Sequence, residues 1–198
     1  MRYVSNEELE RRAARLLNNW MEAEEAPYRA FPIDVRRLAT DFLGIEVKLG
    51  VLDSKTVAEF RVSEEVFVLD HRHNRNPSRA RFSIAHEIGH LDLHSSLGTP
   101  VFCRDSDQSR FELQANRFAA ALLMPPTDLV ELVAEEAATI GAFSRKVAEA
   151  DVNAACKWLR HLLGQKPLQD SSLKLIAAKF GVSIQSLDVR LKQLHIIV

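Results

Sequence analysis

Residues 86–90 read His86-Glu87-Ile88-Gly89-His90, a run whose side chains combine usefully only on a helix. There, residues four apart lie about 400° around the axis and about 6 Å along it, so both imidazoles share a face. Two neutral histidines so arranged hold one Zn2+ at about 2.0–2.1 Å each. Glu87, about 100° around from His86, reaches a water at such an ion without ligating it, and is positioned as general base and proton shuttle. The flanks fit a helix: Asn76 reads as its N-cap, Pro77 as its first residue, and Phe82, Ile84, Ala85, Ile88, Leu91 and Leu93 as its apolar body. The competing reading is a chance match on an exposed polar face. Polar groups on so apolar a helix need a partner or a task, which favours the metal.

A catalytic zinc needs a third protein ligand and one open position. His94 follows His90 by four residues, yet a continuous helix carries it about 12 Å up the axis from His86. Leu91-Asp92-Leu93 supplies no glycine to break that helix, so His94 reads as a C-terminal histidine facing the dipole. Glu112 is the better ligand. It sits in SRFELQANRFAAALLMP, where Phe111, Ala115, Phe118, Ala119 and Leu122 describe a core helix with a carboxylate near its start. Ser109-x-x-Glu112 is also a capping box, which would make Glu112 merely structural. Asn116, one turn on, tips the balance, because its amide can orient a ligand from behind.

The chain around these helices has 198 residues, seven glycines, seven prolines and no long apolar run. Ser5 and Glu8 open an amphipathic helix over 6–25 through Leu9, Ala13, Leu16 and Trp20. A second helix runs from Asp34 to Gly44, with Ile33 and Leu38 as a staple. Three strands follow, Ile45–Leu49, Val57–Val62 and Val66–Asp70, the last two joined by a tight Ser63-Glu64-Glu65 connection. After a loop over 95–108 come helices at 110–123, 128–138, 145–163, 171–180 and 184–194. The fold class is α+β: a small mixed sheet with the active-site helices, then an all-helical C-terminal subdomain packed on the core. The expected division is 1–125 and 126–198. With 26 basic against 27 acidic residues, bulk attraction to nucleic acid or anionic membrane is excluded. A charged N-terminal stretch and two cysteines far apart lead us to expect a reduced, cytoplasmic protein with no membrane partner.

HEIGHLDLH followed by ELQANRFAAALLMP resembles the ImmA/IrrE family of zinc metallopeptidases. The likeness extends upstream through Phe31-Pro32-Ile33-Asp34 and the GIEV strand, and downstream to KFGVSIQSLDVRLKQL. It implies a zincin-like fold and a gluzincin-like site, with Zn2+ on His86, His90 and Glu112, Asn116 behind them, and Glu87 as catalytic base. It also implies that the strand near Val57–Val62 rims the cleft, where an extended substrate pairs as an added strand. The family implies cleavage of one partner, often a helix-turn-helix repressor of a stress, mobile-element or defence operon. Residues 126–170 exceed the family's usual linker, and the short N-terminal helix is no DNA-binding domain, so a separately encoded repressor is expected.

Three further features each carry two readings. Cys103, between the ligand helices, is a half-buried hydrophobe or a removable fourth zinc ligand that holds the enzyme latent; the former is preferred. Arg72, Arg75, Arg79 and Arg81 form a patch for single-stranded nucleic acid or an acidic partner that signals activation, or they pair with acids such as Asp70; pairing is preferred. Residues 171–195 could pass for a helix-turn-helix with Arg190 and Lys192 available to DNA, but packing onto the peptidase core is preferred. The alternative to a protease is a zinc-containing regulatory protein that binds a repressor or DNA without cutting.

Overall fold

In the computed structural model, residues 4–25, 30–94, 105–137 and 151–198 are described. Contacts divide the chain into Met1–Leu123 and Met124–Val198. Within the first unit, α1 spans Asn6–Ala23 and is capped by Ser5, whose Oγ accepts the Glu8 amide at 3.2 Å. The Glu8 carboxylate runs along the helix to Arg12 at 3.1 Å. Leu9, Ala13 and Leu17 form the buried stripe, so the face is turned slightly from the expected Leu16 and Trp20. Arg12 then crosses to the last turn of the helix that carries the H-E-x-x-H run, donating to the Asp92 carbonyl at 2.9 Å. That satisfies one of the carbonyls a helix end leaves without an internal partner.

The Asp34 helix starts as expected, with Asp34 Oδ1 accepting the Arg37 amide at 3.1 Å, but it is not α-helical throughout. After α2 (Val35–Arg37) the chain widens into a π-turn over Leu38–Phe42, closed by Leu43 N–H to the Leu38 carbonyl at 3.0 Å. The widening buries Leu38 and Ala39 completely and lets Ile45 N–H reach back to the Ala39 carbonyl at 2.8 Å. Gly44, at φ +71°, makes the reversal into the sheet.

Three strands, β1 (Glu46–Gly50), β2 (Ala58–Arg61) and β3 (Val66–Asp70), pair in the order β1-β3-β2. The sheet is mixed, with β1 parallel and β2 antiparallel to β3. Central β3 is buried along its whole length, which its unbroken Val-Phe-Val-Leu run requires. Phe60 and Phe67 face each other across the antiparallel pair, their rings 5.0 Å apart and edge-on. Among the described residues β2 is an edge strand.

At the start of α3 (Pro77–His94), Asn76 Oδ1 accepts the Ser78 amide at 2.9 Å, so the cap lies where the sequence puts it. The next helix, α4 (Asp105–Leu123), begins five residues earlier than expected and packs along α3 and α1. Ile84, Ala85 and Ile88 from α3 and Ala115, Phe118, Ala119 and Leu122 from α4 are all buried in this core.

The second unit is helical throughout its described residues: α5 (Pro126–Glu136), α6 (Val152–Gln165), α7 (Asp170–Phe180) and α8 (Ile184–Gln193). Pro125 and Pro126 set the break before α5, and Gly181 at φ +65° ends α7. Leu129, Val133, Leu159, Leu163, Ile176, Phe180, Leu187 and Leu191 are buried. Arg190, a candidate for DNA contact in the sequence, is 1% exposed and donates through Nε to the Met124 carbonyl at 3.1 Å. Lys192 pairs with Asp188 on its own helix at 3.3 Å. The disfavoured helix-turn-helix alternative thus loses the arginine that would read bases, which is folded inward. No helix among the described residues is long and apolar enough to cross a membrane.

Candidate metal centre

Two helices build the centre. From α3, His86 and His90 project on one face with ring centroids 4.6 Å apart, and their Nε2 atoms stand 3.0 Å from each other. From α4, Glu112 brings one oxygen to each: Oε2 lies 3.2 Å from His86 Nε2 and Oε1 lies 3.2 Å from His90 Nε2. These three residues are a group whose ligand atoms all lie within 4.8 Å of one another. Because α4 starts at Asp105, Ser109 is inside the helix and cannot be its N-cap. The capping-box alternative for Glu112 therefore falls, and its carboxylate is directed to the histidines.

Gly89, between the two histidines, explains how α4 comes so near. A Cβ there would stand 3.1 Å from the Ala115 carbonyl oxygen and 3.3 Å from Phe118 Cβ. Only a residue without a side chain lets the helices approach this closely, and that approach carries Glu112 and Asn116 into reach of the imidazoles.

The donor set suits a divalent cation of the zinc type. Asn116 Oδ1 lies 3.0 Å from His86 Nδ1; an amide oxygen only accepts, so that nitrogen carries the proton and Nε2 presents its lone pair to the cluster. With His86 Nε2 bare, a cation placed between it and His90 Nε2, 3.0 Å away, would take a lone pair from each. Two nitrogens and a carboxylate are the ligand types that zinc takes in catalytic sites.

The two glutamates in and beside the cluster are driven in opposite directions. The close approach of His86 and then of His90 holds the Glu112 carboxyl well below the usual carboxylate range. Glu87, not one of the three clustered residues, is 7% exposed. Burial pushes its pKa up, partly offset by His86 and His90, with Glu112 and Glu59 adding to the rise. For His86, burial works against the charged form, but Glu112 and Glu87 outweigh it and leave the pKa raised.

His94 is the last residue of α3, as its sequence position suggests. It stands behind His90, Nδ1 to Nδ1 at 3.1 Å, outside the ligand cluster. Its spacing from His90 was a usable signal; nothing in the sequence marks its second partner, Gln114, at 3.1 Å. Cys103 lies outside the described residues. The four arginines are not brought together as one free patch. Arg72 grips the fully buried Asp70 through Nη2 at 2.7 Å, and Arg81 donates to the Ile33 carbonyl. Arg75 and Arg79 are exposed.

The family model described as Peptidase M78, IrrE N-terminal-like domain, matches residues 41–150, more than half of the chain. The chain belongs to this family. The matched span contains both helices of the M78 site and all three clustered ligand residues. Among solved structures, a Mycobacterium tuberculosis transcriptional regulator is similar, with a TM-score of 0.54 and 21% identity over 93% of this chain and 46% of that one. At that identity the likeness concerns the fold alone, and the M78 chain described here spans about half of the regulator's length. No curated protein matches the chain significantly.

Proposed function

We propose that this chain is a zinc-dependent endopeptidase that cleaves a partner transcriptional repressor, relieving repression of a stress, mobile-element or defence operon. The observation that carries the reading is the convergence of His86, His90 and Glu112 beside a buried glutamate of raised pKa. A cation held by the three would supply Lewis acidity to the scissile carbonyl and to the attacking water. Glu87 takes the proton of that water, keeps it at its carboxylate, and delivers it to the leaving amine nitrogen. Its burial suits the task, since a carboxylate with a pKa nearer the working pH both accepts and returns a proton readily. Asn116 keeps the His86 ring in place through these steps. An extended substrate segment would pair along β2, whose Glu59 is near enough to Glu87 to raise its pKa.

Were Cys103 a removable fourth ligand of this site, its replacement by alanine would speed cleavage. With Arg72 and Arg81 engaged internally, a nucleic-acid trigger is not part of the reading. The test pairs the full chain with a small helix-turn-helix repressor encoded beside it, with and without chelator. Fragments are expected only with metal present, and Glu87→Gln should lower the cleavage rate about 10²–10⁴-fold while still binding zinc. Release of an intact repressor would favour a binding protein over a protease. Undiminished cutting by Glu87→Gln would remove the assigned base.

A further inference from the structure

Behind His90 runs a line of hydrogen bonds that the proposed chemistry leaves unused. His90 Nδ1 faces His94 Nδ1 at 3.1 Å, His94 Nε2 faces Gln114 Oε1 at 3.1 Å, and Gln114 Nε2 donates to the Val4 carbonyl at 3.5 Å. The polarity of the line is forced from its far end. A carbonyl only accepts, so the Gln114 amide turns its NH2 to Val4 and its oxygen to His94. That oxygen also only accepts, so His94 carries its proton on Nε2. A neutral imidazole has one N–H, which leaves His94 Nδ1 bare and able only to accept from His90 Nδ1–H. His90 Nε2 is then the bare nitrogen, and it is the atom 3.0 Å from His86 Nε2 and 3.2 Å from Glu112 Oε1.

We infer that His94 and Gln114 are positioning residues, a two-step relay that fixes the His90 tautomer and aims its Nε2 lone pair at the metal position. Asn116 does the same for His86 in one step. The relay also explains why His94 is not a ligand, since both its nitrogens are already engaged. Its ring is held from the side by Phe111, with centroids 4.6 Å apart. The segment 111–116 of α4 therefore supplies a ligand, the orienting partner of one histidine, and the support behind the other. The inference rests on the metal reading above, and its test separates the two.

Two-bond ¹H–¹⁵N correlation spectra of the metal-free full chain, at a pH where imidazoles are neutral, read the tautomers directly. The expected pattern is Nδ1–H on His90 and Nε2–H on His94; an Nε2–H form of His90 overturns the relay. Zinc affinity, measured by competition with a chromophoric chelator, is expected to fall about 10–100-fold in His94→Leu, which fills the space without an acceptor. In His94→Asn the side-chain oxygen stands where Nδ1 stood, one bond from Cγ, so most of the affinity should return. Zinc binding by His94→Leu within about twofold of wild type, against the loss expected for an outer partner, would also overturn the relay. If His94→Leu does not fold, the wild-type tautomer pattern decides alone. A wild-type chain that takes up no zinc overturns the metal reading, whatever its tautomers.

Discussion

Glu87 and Glu112 have the same chemistry and opposite surroundings. Glu112 is half exposed and lies 3.2 Å from each of two histidines; Glu87 is buried next to them. Environments that push two carboxyls apart suit them to different tasks, in the proposed reading the depressed one as a fixed anion and the raised one as a proton carrier. Glu112→Gln should therefore weaken zinc binding more than loss of any outer partner, beyond about 100-fold by titration calorimetry, with the fold intact by circular dichroism. Asp70 supplies a separate test by pH. Its carboxyl is held far below the usual range, first by Arg72 and then, against the cost of burial, by the amides of Leu52 and Arg72. A group depressed in the folded chain from about 3.9 contributes stability above about pH 4 and loses it as the pH falls toward its folded value. Asp70→Asn should accordingly melt lower at pH 7, with the gap to wild type narrowing below about pH 4. The Arg72 pairing was foreseeable from Asp70 two residues away. The inward turn of Arg190 was not, because helix spacing alone does not reveal which backbone carbonyl will need a donor.

At the scale of elements, α3 was legible because its signals are local: an N-cap, a first-position proline, and an apolar face that carries the motif. Asn76→Ala should cost about 1 kcal/mol in a denaturant titration. The start of α4 was not legible, since the pattern pointed to Ser109 while the helix begins at Asp105. The π-turn at Leu38–Phe42 was hidden for a related reason: its bonds answer to the burial of Leu38 and Ala39, which is tertiary. Gly89 shows how one element limits another. Gly89→Ala would raise helix propensity yet drive a methyl against Ala115 and Phe118. We expect a loss of about 1–3 kcal/mol from overpacking, together with weaker zinc binding although no ligand changes. Thermal melts and chelator competition on the one variant measure both.

The whole molecule is not organised around the candidate metal centre. Leu17, Ile33, Leu38, Phe67, Ile88, Phe118 and Leu122 are each almost wholly buried in the first unit, so the ligand helices have a core of their own. Removal of metal by chelator should lower the melting temperature and leave the far-ultraviolet spectrum unchanged, unlike a small zinc domain that unfolds without its ion. The outer edge of β2 has a consequence for what such a protein could destroy. Among the described residues, the outward-facing amides and carbonyls of this four-residue strand would pair only with chain that is already stretched out, so in the proposed reading a coiled or closely folded victim would pass by unharmed. Susceptibility would then be decided in the victim, by how often a stretch of it comes undone, and whatever loosens that stretch would act as the signal.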